Sequence, residues 1–267
     1  MPSAEPGTVS PARVTRVEQP APESPHEAPV VPPDQPIIIT IDGPAGTGKS
    51  TVARELAHRL GLDFLDTGSM YRAAAAIFLD HHFARDQVGE LISTVIGADL
   101  HFDWSMDPPV VLAWDDPLEH RIRDADVTAN VSWVASLGEL RKHMVRKQRI
   151  IAAQHPRLVT EGRDQGSVVF PDAPVKFYLD ADPEVRAQRR IEQLKGEGRD
   201  VDEAGMLERI VERDRLDSSR ADGPLMCPDD AVVIDSTSLT IPQVIDRMER
   251  VVRERVPVIG AYRPSLD

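Results

Sequence analysis

Nine consecutive residues carry the clearest chemistry in the chain: Gly43-Pro44-Ala45-Gly46-Thr47-Gly48-Lys49-Ser50-Thr51, which reads G-x-x-x-x-G-K-S. Glycines let backbone N–H groups converge on phosphate oxygens without a Cβ in the way, and a helix N-terminus adds its positive dipole end. In such a loop Lys49 reaches the β- and γ-phosphates, and the Ser50 hydroxyl sits on a Mg²⁺ ion. A glycine-rich turn could match this spacing by chance. Here the apolar run Ile37-Ile38-Ile39-Thr40-Ile41-Asp42 enters the loop. Val52, Leu56 and Leu60, with Ala53 and Ala57, give helical spacing on leaving it. Strand, loop and helix together give the motif its meaning, and the expected ligand is a nucleoside triphosphate.

The arginines form the second group. Arg72, Arg141, Arg163, Arg186, Arg189, Arg190, Arg213 and Arg220 fall at expected strand ends or inward helix faces. One triphosphate does not need so many. They imply a second anionic substrate and charge stabilisation for a moving phosphoryl group, with positioning by arginine and Mg²⁺ as the machinery. A phosphate acceptor is already an anionic nucleophile, so no general base is required. A phosphate loop also serves motors, switches and transporters. A guanine-reading switch would carry N-K-x-D, which is missing from this sequence.

The elements that must position these residues follow from pattern. Leu62 to Asp66 reads as a short strand. Thr67 or Ser69 is placed to cap a helix running to about Asp80, with Arg72 one turn in. Leu100 to Trp104 and Val110 to Trp114 read as paired strands around the turn-like Met106-Asp107-Pro108-Pro109, a small β-containing insertion. A helix is expected from about Leu137 to Ala153. Leu137, Met144 and Ile151 mark its apolar face, and Arg141 lies near it. Arg157 to Glu161 reads as a strand that ends in Gly162-Arg163-Asp164-Gln165-Gly166-Ser167, charges at the edge where open α/β sheets bind ligands. After a strand at Val175 to Asp180, Asp182-Pro183-Glu184 opens a helix bearing Arg186, Arg189 and Arg190. Gly196 and Gly198 follow, as in a mobile lid. From Glu203 to Arg220, Met206, Ile210, Arg213, Asp217 and Arg220 share one helical face. A solvated ladder of Arg213, Asp217 and Arg220 is the alternative, but this charged stripe continues an apolar one and is expected to turn inward. Ala231 to Asp235 reads as a last buried strand, and Ile241 to Val252 as a closing amphipathic helix.

Composition bounds the rest. The chain has 267 residues, with 31 Lys and Arg against 44 Asp and Glu, a net charge of −13. Nucleic acid is therefore not an expected partner. The single cysteine, Cys227, excludes an intrachain disulfide framework and points to a reducing compartment. There is no membrane-length apolar run or secretory signal, so the expectation is a cytoplasmic protein, and a monomer. Residues 1–35 are proline-rich without a period and are expected to be a disordered tail with no assigned function. Alternating strands and helices after a first-position phosphate loop give an α/β fold, a parallel sheet flanked by helices.

Several segments resemble the bacterial cytidylate kinases (CMP/dCMP kinases), a family of nucleoside monophosphate kinases. They are IDGPAGTGKST (41–51), LDTGSMYR (65–72), EGRDQGSVVFPDAPVKFYLDA (161–181), ERDRLDSSR (212–220) and VVIDSTSLTIPQVI (232–245). The resemblance runs from about Pro36 to Glu254 and does not reach the tail. It implies a P-loop kinase core (36–72, 157–185 and 213–256), a nucleoside monophosphate (NMP)-binding region with a small β-containing insertion (73–156), and a short lid (186–212), all within a kinase domain of 36–267. The implied reaction is ATP-dependent phosphorylation of CMP and dCMP with Mg²⁺, in pyrimidine nucleotide metabolism. By the same resemblance, Ser132, Arg141 and Asp164 match positions that recognise the cytosine ring. Asp164 suits accepting from its exocyclic amine. Arg213 and Asp217 match ribose contacts, and Arg72, Arg163 and Arg220 match the residues holding the monophosphate. Thr67 stands near the acceptor phosphate, and Arg186, Arg189 and Arg190 match lid arginines, of which one or more reach the transferring phosphoryl beside Lys49. The sequence departs from the family at Gln165, usually apolar, at Glu161, often Asp, and at Ser167, often Thr. Another small acceptor, such as UMP or shikimate, is the competing enzyme reading, which an Asp164→Ala substitution separates.

Overall fold

The computed structural model describes residues 36–256, so the proline-rich tail lies outside the described residues. Five parallel strands form one sheet in the order β2-β6-β1-β7-β8: β1 Ile37–Asp42, β2 Asp63–Asp66, β6 Arg157–Gly162, β7 Val175–Asp180 and β8 Val232–Asp235. Strand β1 is central because it is apolar on both sides. Ile37, Ile39 and Ile41 face a cluster with α1 (Lys49–Leu60) and α8 (Ile241–Arg255), while Ile38 packs with the opposite cluster. That second cluster joins the sheet to α2 (Thr67–Asp80), α3 (Val88–Gly97), α4 (Ala125–Val134) and α5 (Gly138–Gln154). A separate antiparallel sheet, β3 (His101–Asp103), β4 (Val110–Ala113) and β5 (Asp116–Pro117), forms the expected insertion. Helices α6 (Pro183–Gly196) and α7 (Met206–Ser218) form a hairpin over their own small core of Ala187, Ile191, Met206 and Ile210.

Parallel register brings the strands' carboxyl ends level. Asp42 pairs with Gly162 and Tyr178, and Asp66 with Glu161, so the polar residues after each apolar run share one edge.

Four local expectations change. Helix α2 is capped by neither Thr67 nor Ser69: the Asp66 side chain accepts from Ser69 N at 3.1 Å, while Thr67 Oγ1 donates to Glu161 O at 2.7 Å. The expected last buried strand is an edge strand. Its Ile234 is buried but Val233 is 58% exposed, and among the described residues no strand pairs beyond it. Helices α3 and α4 fill stretches in which the sequence reading placed no helix. Finally, Gln165–Val169 coils into a single π-turn, held by Asp42 Oδ1 and Oδ2 accepting from Gln165 N and Gly166 N at 2.8 and 2.7 Å.

Candidate active site

The phosphate loop leaves β1 through Gly43, whose φ of 149° and closeness to β7 admit no side chain: a Cβ there would lie 2.1 Å from Leu179 O. Gly48, left-handed at φ 89°, starts α1. The loop folds around Lys49, whose Nζ donates to Pro44 O at 2.6 Å. Thr47 Oγ1 donates to the same carbonyl at 3.2 Å. Burial, followed by the charge of Arg163, pushes the Lys49 ammonium down to about 7. Such a cation is short of negative charge, and a phosphate would supply it.

An open cavity of about 1110 Å³ extends from this loop between α4 and the α6–α7 hairpin. Ala45, Gly46, Gly48, Lys49, Ser50 and Thr51 line it, whereas Gly43, Pro44 and Thr47 do not. Arg72, Arg163, Arg213, Arg220 and Arg190 also line it, as do Ser132, Arg141 and Asp164. Of the three α6 arginines only Arg190 lines the cavity. Arg186 is 4% exposed and fully engaged: Nε donates to Ala181 O at 2.8 Å, and Nη1 to Ala45 O at 3.0 Å and Asp214 Oδ2 at 2.6 Å. Arg189 donates to Ser236 O at 2.6 Å and Ser236 Oγ at 3.1 Å. One or more of these arginines is expected to reach a transferring group; Arg190 is placed on the cavity, while Arg186, in the first turns of α6, holds the phosphate loop at Ala45.

Asp217, 1% exposed, gathers several of the cavity's side chains. It accepts from Arg163 Nε at 2.9 Å, from Arg220, and from Ser132 Oγ at 3.4 Å. Burial opposes its charge, but Arg163 and Arg220 hold its carboxyl below the ordinary range. Arg213 gains only partial support from the Asp217 charge. Its Nε has no hydrogen-bond partner among the described residues, and burial, then Arg163 and Arg72, push its guanidinium down to about 9. Arg72 is held by Thr128 Oγ1 at 2.9 Å and Ile122 O at 3.3 Å. Crowded, incompletely neutralised arginines lining one cleft are arranged for a ligand with several negative charges.

In the cavity wall Arg141 and Asp164 form a buried ion pair, and the Tyr71 ring lies 5.4 Å from the Arg141 guanidinium. Burial raises the Asp164 pKa in spite of Arg141. The inward face of α5 that placed Arg141 near the apolar stripe thus puts it in the cavity wall, 3% exposed.

Three acidic residues at strand ends received no role from the sequence. Asp42 anchors the π-turn. Glu161 Oε1 accepts from Ser50 Oγ at 2.6 Å. Asp66 lies beside Glu161, and burial followed by the Glu161 charge pushes its carboxyl up to about 7. Arg123 also lines the cavity. The available signal was position: Asp42 and Asp66 each end an apolar strand, at the ligand edge.

The parallel sheet, the phosphate loop after its first strand and the arginine-lined cleft define a phosphate-loop kinase, a nucleotide-binding phosphotransferase. The sequence profile of the cytidylate kinase family matches residues 39–254. The cytidylate kinase of Corynebacterium glutamicum is 44% identical over 216 residues, covering 79% of this chain and 92% of that protein. That of Methylococcus capsulatus is 43% identical over 208 residues (78% and 93%), and that of Klebsiella pneumoniae 41% over 224 (83% and 97%). The chain belongs to the cytidylate kinase family.

Proposed function

We propose that this protein transfers the γ-phosphoryl group of ATP to CMP and dCMP, giving ADP and CDP or dCDP. The observation that carries this reading is that the buried Arg141–Asp164 pair lines the same cleft as Lys49, together with Arg72, Arg163, Arg190, Arg213 and Arg220. Asp164 accepts from the cytosine amine, and Ser132 and Arg141 complete the contact with the base. Arg213 and Asp217 take the ribose. Arg72, Arg163 and Arg220, with Thr67, hold the acceptor phosphate, while the phosphate loop and Lys49 hold the donor. Arg190 stabilises the transferring group from residues 186–212, which act as the lid. Arg186 and Arg189 contribute by fixing the loop and the start of α6.

Mg²⁺ fits these residues. No cluster of three or more His, Cys, Asp or Glu side chains suited to a metal occurs among the described residues. Ser50 with Glu161 and Asp66 beside it nevertheless offers the few hard oxygens that Mg²⁺ takes from a protein when phosphates and water supply the rest. Bound there, the ion would neutralise charge on the phosphates. The same reading makes the protein a cytoplasmic monomer of pyrimidine nucleotide metabolism that binds small nucleotides and not nucleic acid. No helix among the described residues is long and apolar enough to cross a membrane.

ADP release from Mg-ATP measured with CMP, dCMP, UMP, AMP and GMP tests the reading. Turnover strongest with CMP and dCMP is expected; preference for another acceptor rejects it.

A further inference from the structure

Asp164 and Arg141 come from different elements, the turn after β6 and helix α5, and a buried polar layer lies behind them. Gln165, next to Asp164, is 1% exposed. Its Nε2 donates to Gln148 Oε1 at 3.2 Å, and its Oε1 accepts from Thr160 Oγ1 at 3.1 Å. Gln148 is fully buried and lies seven residues beyond Arg141, on the same face of α5. Its side chain also interacts with the Tyr71 hydroxyl, offsetting part of the rise that burial causes there. Tyr71 in turn supports the Arg141 guanidinium with its ring. One amide–amide bond therefore cross-braces the two elements that carry the ion pair.

We infer that the Gln165–Gln148 bond positions the Arg141–Asp164 pair and sets how strictly the site separates cytosine from uracil. This rests on the cytidylate reading above. Cytosine offers an amine donor where uracil offers a carbonyl acceptor. Asp164 serves the first, and Arg141 can serve the second only if the pair turns. A pair held in one geometry leaves uracil facing an unmatched carboxylate, which is how a polar site rejects the wrong partner. With the brace gone, α5 and the π-turn can shift against each other and the pair can adapt. Gln165 and Gln148 are positioning residues and touch neither substrate.

The test is steady-state kinetics with CMP and UMP on the wild type, Gln165→Leu, Gln148→Leu and the double variant, with melting temperatures. Wild-type turnover of CMP comes first: its absence defeats the functional reading itself, whatever the brace does. Given that turnover, Gln165→Leu should raise the CMP KM about three- to tenfold, the factor expected for one buried hydrogen bond. Its ATP KM should stay within about twofold, and the UMP to CMP ratio of kcat/KM should rise by a similar three- to tenfold. The double variant removes both partners, so it should regain melting temperature relative to either single variant without regaining discrimination. An unchanged UMP to CMP ratio overturns the inference. So does equal damage to ATP and CMP, or discrimination restored in the double variant. If Gln165→Leu does not fold, Gln165→Asn, which shortens the reach but keeps the amide, replaces it with the same expectations.

Discussion

Ser50 Oγ donates to Glu161 Oε1 at 2.6 Å, joining the start of α1 to the end of β6 across the floor of the cavity. Both residues line the cleft, with Asp66 beside Glu161. On the proposed reading, this is the group that a divalent ion meets. Replacing Glu161 by Gln keeps the shape and removes the charge. The apparent Mg²⁺ affinity should weaken about 10- to 100-fold, as when a carboxylate close to a metal is lost. Magnesium titration of ADP release at saturating nucleotides checks this. An unchanged Mg²⁺ dependence would mean that Glu161 has no part in holding the ion.

Asp217 carries the centre of the acceptor end, because Arg163 and Arg220 both bond to it. Asp217→Ala leaves buried guanidinium groups without their counter-charge and should cost about 3–5 kcal/mol of folding stability. The CMP KM should rise strongly while the ATP KM changes little, since the phosphate loop does not touch Asp217. Denaturant unfolding alongside kinetics measures both. A stable variant with an unaltered CMP KM would remove Asp217 from the acceptor site.

The α6 arginines should behave differently from one another. Arg190 lines the cavity, and among the described residues its side chain bonds only Gln193, at 2.8 Å, so Arg190→Ala should leave stability nearly intact and lower kcat about 10²- to 10³-fold. Arg186→Ala releases Ala45 O and Asp214 and should lower the melting temperature and raise the ATP KM. Matching effects from the two substitutions would contradict the division seen in the fold.

Much of this arrangement is legible in the sequence, and the rest has identifiable reasons for being hidden. The run from Ile37 to Thr51 carries its strand, loop and helix in local pattern. The burial of Arg141 and Asp217 follows from helical spacing, because each shares a face with apolar residues. The orientation of Arg186 does not follow from spacing. It is decided by Ala45 and Asp214, which sequence places far from it. Helix α3, Val88–Gly97, is one short apolar-rich segment, and neighbouring packing fixes its identity as helix. The Gln165–Gln148 bond joins two polar side chains that no periodicity pairs.

Stability should depend on pH through Asp42. It is 1% exposed, and burial pushes its carboxyl up to about 7 despite two backbone N–H donors. An unfolded Asp titrates near 3.9, so between pH ~4 and ~7 the folded protein binds more protons than the unfolded chain. The contribution is therefore full below pH ~4 and is lost as pH rises through about 7. Relative to Asp42→Asn, which cannot titrate, the wild type should lose on the order of 2–4 kcal/mol between pH 4.5 and 7.5. Urea unfolding at several pH values gives that difference. Equal slopes for the two proteins would place the Asp42 carboxyl in the ordinary range.

The most direct test of the central claim compares CMP and UMP turnover in the wild type and Asp164→Ala, with circular dichroism confirming that the variant is folded. The wild type should strongly prefer CMP, and CMP kcat/KM should fall about 10- to 100-fold in the variant, the worth of a hydrogen bond to a charged group. ATP KM should be unchanged. A folded Asp164→Ala enzyme that still turns over CMP at the wild-type rate and affinity would contradict that claim.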